Sequence, residues 1–191
     1  MTIRYKNVYI NETSTITGPY EQKGPLNNYF DKSYDDLYFK QPTWEQAESK
    51  LIEESVDLLL LKIGKTRFDV DLFISGDLLN QITASNYAAS RLACASSVEG
   101  LIVGANMIES KMIKNCITSI SSHNNAAEKQ FRYPVEYGGP KPKTATITAT
   151  GSASAYLSYN KANIKVDSAT IGTVQDLGIK DAFHMGAVMA P

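Results

Sequence analysis

The side chains of this 191-residue chain with the most chemistry to offer are Asp77, Cys94, His123 and Arg132 with its neighbour Tyr133. Cys94 stands in Ala93-Cys94-Ala95-Ser96-Ser97, immediately before a stretch of small and aliphatic residues. At a helix N-terminus, aligned peptide dipoles and unpaired N–H groups favour a thiolate and make such a cysteine a nucleophile. A buried cysteine that packs as a small apolar residue carries the same local signature. His123 precedes Asn124-Asn125 at an expected strand end, a place for a hydrogen-bonding site residue or for an ordinary loop. As a general base it needs a nucleophile in reach and a third group to orient it, and the sequence marks neither. Arg132, between Phe131 and Tyr133, presents a planar fork that matches a carboxylate bidentately, with aromatic faces alongside. A structural ion pair with Glu128 or Glu136 uses the same fork.

His123, Arg132 and Tyr133 belong to one irregular run, Ser121 to Thr148, which also holds Gly138-Gly139 and Lys141-Pro142-Lys143. A segment so polar and rich in turn formers lies on the surface and is a natural place for a binding site. Lys141 and Lys143 read as solvated charge, His184 has no evident role, and Cys116, among Ile113, Ile117 and Ile120, reads as core.

The elements that must position these groups alternate between strand and helix. Tyr5 to Ile10 has the pattern of a short strand, followed by a polar loop through Gly18, Pro19, Gly24 and Pro25, with Asn28 to Phe39 ambiguous. A helix opens at Thr43-Trp44-Glu45-Gln46, which fits a capping box, runs to about Lys62 with Ala47, Leu51, Val56, Leu59 and Leu60 at helical spacing, and stops at Gly64. Val70 to Ser75 reads as a strand ending at the turn pair Gly76-Asp77. In α/β proteins polar groups at strand carboxyl ends line the ligand crevice, so Asp77 is a site candidate, and equally a turn former or helix cap. Thr83–Leu92 and Ser96–Ser110 read as helices and Ile113–Ile120 as a strand. Thr144–Thr150 and Ala153–Tyr159 read as a hairpin about Gly151-Ser152, and Ile164–Val174 as a further strand. The order implies an α/β layered domain with a mixed five-stranded sheet.

Composition narrows the partners. With 43% hydrophobic and 20% charged residues the chain is ordinary for a folded domain, and 19 basic against 20 acidic residues leave no field to hold a polyanion, so nucleic acid is not expected as a partner. The longest aliphatic run, Leu58–Leu61, is too short to cross a bilayer, and the N-terminus lacks the apolar stretch of a secretory signal. These features suggest an intracellular protein, or one peripheral to a membrane. Two cysteines without C-x-x-C spacing and two distant histidines argue against a disulfide framework or a metal site, and no cofactor is expected.

Read in order, several blocks resemble the stage V sporulation protein AD family, which has a thiolase-like fold. They are Gly24-Pro25-Leu26 with Phe30-Asp31-Lys32-Ser33-Tyr34-Asp35, Gly76-Asp77-Leu78-Leu79-Asn80-Gln81, Ser121-Ser122-His123-Asn124, Gln130-Phe131-Arg132-Tyr133-Pro134 with Glu136-Tyr137-Gly138-Gly139, Asp176-Leu177-Gly178-Ile179 and Met189-Ala190-Pro191. The resemblance implies a non-catalytic protein, intracellular in the forespore and peripheral to the spore inner membrane. It would bind dipicolinic acid, support its uptake into the developing spore, and work with membrane-embedded proteins of the same operon, with a homodimer as a further assembly.

On the matching positions, the resemblance implies that Arg132 and His123 meet the two carboxylates of the ligand, the helix start at Cys94 adds N–H donors, Tyr133 packs on the ring, and Asp77 organises the pocket. The alternative is an acyl-CoA or acyl-carrier condensing enzyme of thiolase type using Cys94. Family members have two similar α/β halves, and this chain corresponds to the N-terminal one. They also carry a connector where Arg91-Leu92 here runs straight into Ala93-Cys94. Two helices need about two to eight linking residues to fold back on each other, so a break in the chain is expected near 92–93.

Overall fold

The computed structural model describes residues 2–77, 97–126 and 149–172. The expected helix Thr83–Leu92, the junction at 92–93, most of the strand Thr144–Thr150, and Cys94, Arg132 and Tyr133 lie outside these residues.

The central feature is a mixed sheet. Its strands are β2 (Tyr9–Thr17), β3 (Lys32–Ser33), β4 (Leu72–Asp77), β5 (Asn115–Ser122) and β6 (Gly151–Ser158), in the order β3-β2-β6-β5-β4. A two-residue strand, β7 (Ile164–Lys165), adds to β2 beside them. β4 and β5 are parallel, as are β2 and β3, while β6 runs antiparallel to both β5 and β2. β1 (Thr2–Arg4) pairs separately with β8 (Ser168–Thr170). The five-stranded mixed sheet expected from the sequence is therefore present, with β7 as an edge addition.

One helix covers each face. α1 (Pro19–Gln22) is a single turn, whereas α2 (Trp44–Ile63) and α3 (Ser97–Glu109) are the layers. Side chains alternate across a strand, so the register-matched trio Phe73, Ile117 and Tyr156 faces α2 and joins Ile52, Val56, Leu59 and Leu60. The neighbouring trio Leu72, Cys116 and Leu157 faces α3 and joins Ala105 and Ile108. Each fully buried aliphatic side chain of these clusters contributes about 1.5–3 kcal/mol.

The expected helix signals act as read. Thr43 is the N-cap, its hydroxyl accepting from the Gln46 N–H at 3.3 Å. Gly64 caps the other end at φ 64°, and the Lys65 N–H reaches back to the Leu60 carbonyl at 3.0 Å. Strands proved harder to place. The strand expected at Tyr5–Ile10 is split: Tyr5 and Val8 are buried in a turn between β1 and β2, held by Glu109, whose carboxylate accepts from the N–H groups of Lys6 and Asn7. β2 continues to Thr17 through residues expected to be loop, because its polar side chains find partners: Ser14 in α2 at the Ser55 carbonyl, Thr15 at Asp31 and Thr17 at Ser33 on the β3 side. The Gly151-Ser152 turn is also corrected. Both residues lie within β6, Gly151 paired to Thr17 on one side and Ser122 on the other. A Cβ there would stand 2.8 Å from the Ile16 carbonyl, so the glycine serves close strand approach rather than chain reversal. The strand expected over Ile164–Val174 is two short ones, β7 and β8, on different partners.

Candidate functional site

Two expected site residues, Asp77 and His123, lie at one end of the sheet by topology. β4 ends at Asp77, whose register partner in β5 is Ser121, and His123 follows β5 directly. α3 returns antiparallel to these strands: Gly100 packs on Ile74 and Thr118, and Gly104, one turn later, on Cys116 near the strands' amino ends. The start of α3 at Ser97 therefore lies at the carboxyl ends of β4 and β5, and Cys94 is three residues upstream in the sequence. Carboxyl ends of parallel strands meeting a helix N-terminus is the arrangement that suits an anionic ligand in α/β proteins.

His123 itself is fully buried. Its Nε2 lies 2.7 Å from the Leu37 carbonyl and its Nδ1 accepts the Ala126 N–H at 3.3 Å, which together specify the neutral tautomer protonated on Nε2. Burial pushes its pKa below the ordinary histidine value, against the opposing pull of the Leu37 carbonyl and the carboxylates of Glu45 and Glu21. The residue expected to meet a ligand thus spends both ring nitrogens on the main chain. It pins the loop carrying Leu37 and Phe39, and the Phe39 ring packs edge-on against the imidazole at 6.0 Å.

Around this end runs a polar layer that the sequence reading missed. Ser14, Ser154, Ser119 and Ser75 form one register row across β2, β6, β5 and β4, all buried on the α2 face. Ser55 of α2 bridges Ser152 and Ser154, Ser154 donates to Ser119 at 2.8 Å, and Ser14 donates to the Ser55 carbonyl at 2.6 Å. Glu48, wholly buried, accepts from Ser121 at 3.0 Å. Thr150 ties the loop ends together. Its hydroxyl accepts the Asn124 N–H, its N–H donates to Glu21, and its carbonyl accepts from Gly18. One signal was available for Glu48: it falls on the buried stripe with Leu51, Ile52 and Ser55 at helical spacing.

Cys116 is core, as expected, and burial pushes its thiol up to about 12. Among the described residues no group of three His, Cys, Asp or Glu is arranged to hold a metal ion, and no helix is long and apolar enough to cross a membrane. A groove of about 280 Å³ lined by residues including Ile10, Glu12, Asn163 and Ile164 lies along β2 and β7, at the sheet end away from Asp77 and His123.

Two solved structures of OleA from Xanthomonas campestris, a variant and a cerulenin-bound form, match 82% of the chain at TM-scores of 0.52 and 0.51 with 12% and 13% identity, covering 59% and 56% of those chains. At that identity the likeness concerns the fold, which is thiolase-like. The stage V sporulation protein AD of Bacillus subtilis (strain 168) is 44% identical over 193 residues, spanning 96% of this chain and 57% of that protein. The chain thus spans a little over half the length of this relative. The family model described as Stage V sporulation protein AD matches residues 1–191, and the chain belongs to that family.

Proposed function

We propose that this chain acts in sporulation as a non-catalytic binding protein for dipicolinate, supporting its uptake into the developing spore together with membrane-embedded partners. The observation that carries this reading is the family match over residues 1–191 together with 44% identity to a stage V sporulation protein. The fold adds a physical rationale. A flat aromatic dianion needs cationic or N–H donors beside an apolar slot, and the end of the sheet that receives the α3 N-terminus is also where the chain carrying Arg132 and Tyr133 departs after His123. In this reading Arg132 and the N–H groups at the start of α3 meet the carboxylates, Tyr133 covers the ring, Asp77 organises the pocket, and His123 supports it from behind.

A non-catalytic role is supported by the chemistry of the described groups. A buried neutral imidazole with both nitrogens engaged is poorly placed to relay protons. The competing reading, a condensing enzyme acylated on Cys94, takes its support from the thiolase-like fold.

Equilibrium dialysis against dipicolinate tests the proposal. Saturable binding that weakens by roughly tenfold or more in Arg132→Ala is expected, the scale of a lost charge-assisted bidentate contact. Absence of saturable binding overturns it. Incubation with acyl-CoA followed by intact-mass measurement separates the alternative, since a Cys94 adduct is the signature of the enzyme.

A further inference from the structure

His123 does more than occupy the core. The loop it pins, residues 34–41, is wedged against the sheet end by few main-chain bonds: Tyr34 N–H to the Thr17 carbonyl, the Leu37 carbonyl to His123, and an internal turn from Gln41 N–H to the Tyr38 carbonyl. Within it Phe39 and Lys40 adopt φ of 49° and 61°, consecutive left-handed positions that residues with side chains seldom occupy. The conformation persists because the Phe39 ring is buried against Ile16, Ala47 and Leu51, with Tyr34 edge-on at 4.8 Å.

We propose that His123 is a pH-operated latch that holds the 34–41 loop shut while its imidazole is neutral and releases it on protonation. A proton on Nδ1 occupies the lone pair that accepts the Ala126 N–H, turning an attraction into two opposed donors, and places a positive charge where no solvent reaches. Opening the loop hydrates the imidazolium and lets Phe39 and Lys40 return to ordinary backbone angles, so protonation and stored strain act in the same direction. Among the described residues, the charged groups around the ring are Glu45 on α2 and Glu21 on α1, which favour the charged form, and Glu48 on α2, which engages Ser121 two residues before. The loop itself carries Asp35, Asp36 and Lys40, of which Asp36 accepts the Tyr38 N–H. The chain beside His123 at the end of β5 and the start of β6 contributes uncharged Ser122, Asn124 and Thr150. Burial outweighs the two facing carboxylates, which sets release below the ordinary histidine value.

Trp44 is the only tryptophan of the chain and its ring lies 6.0 Å from that of Tyr38, so its fluorescence reports the loop. On acidification the emission should change with a midpoint below 6.5 while far-UV circular dichroism is unchanged, and amide exchange of residues 37–41, corrected for intrinsic rate, should accelerate over the same range. Glu45→Gln should move the midpoint lower, because a carboxylate that favours the imidazolium is gone. His123→Gln, which cannot titrate, should abolish the transition. The latch is overturned if emission and exchange stay flat down to the onset of global unfolding, or if His123→Gln keeps the wild-type midpoint. Should that variant fail to fold, exchange on the unmodified protein decides alone: protection of 37–41 that stays equal from about pH 7.5 down to the onset of global unfolding rejects the proposal.

Discussion

Gly104 of α3 and Cys116 of β5 touch so closely that a Cβ on the glycine would stand 2.5 Å from the cysteine sulfur. Together with Gly100, whose Cβ would meet Ile74 at 2.6 Å, this brings the helix axis down onto the sheet and sets where its N-terminus ends up. The position of the helix start opposite Asp77 and His123 thus depends on two side chains that are missing and one sulfur that fills the space.

Gly104→Ala is expected to destabilise the protein by about 1–3 kcal/mol through overpacking, although alanine is the better helix former by about 1 kcal/mol. Cys116→Ala in the same chain should recover part of the loss. Urea denaturation of the two single variants and the double variant measures the coupling, and additive effects would show that the contact is not tight.

Thiol chemistry gives an independent check on the same sulfur. In Cys94→Ser the only remaining thiol is Cys116, which is wholly buried with its pKa pushed up to about 12. A thiol-exchange reagent at neutral pH should therefore find almost no reactive group in the folded protein and one after denaturation.

Ser55 is the hub of the buried hydroxyl layer, with bonds to Ser152, Ser154 and the Ile52 carbonyl. Ser55→Ala should cost about 1–3 kcal/mol because it strands buried partners, whereas Gly64→Ala, at a site with open space around it, should cost only about 1 kcal/mol from its left-handed backbone. Thermal melts of the two variants distinguish a network effect from a purely conformational one.

Stability should fall in two stages as pH drops. His123 has a folded-state pKa below 6.5, so its contribution is full above 6.5 and declines as pH falls toward the folded value. Asp31 and Glu54 follow at lower pH. Burial pushes both carboxyls up, but Lys62 and Thr15 at Asp31, and Lys32 and Tyr34 at Glu54, more than offset it and hold both below their ordinary values of 3.8 and 4.5. Their contribution is present above those values and lost beneath them. Denaturation midpoints measured across the range should lose the first stage in His123→Gln and keep the second.

The residues that were legible in advance are those whose signal is local. A threonine cap, a glycine that accepts a positive φ and an apolar stripe at helical spacing determined α2 almost to the residue, and the core placement of Cys116 followed from its isoleucine neighbours. Glu48 was legible only in part: its spacing put it on the buried stripe, but nothing in the sequence named Ser121 as its partner.

What the amino-acid sequence determined by itself, then, is the α/β class, the main helix and the family to which the chain belongs. Tertiary structure alone decided that Gly151 and Ser152 lie inside a central strand, that four serines from four strands form one buried row, and that His123 is a main-chain clamp on the Leu37–Phe39 loop. The physical reason is that strand pairing and the satisfaction of buried polar groups are long-range: a serine or histidine looks like loop chemistry until a partner 86 residues away supplies the missing hydrogen bond.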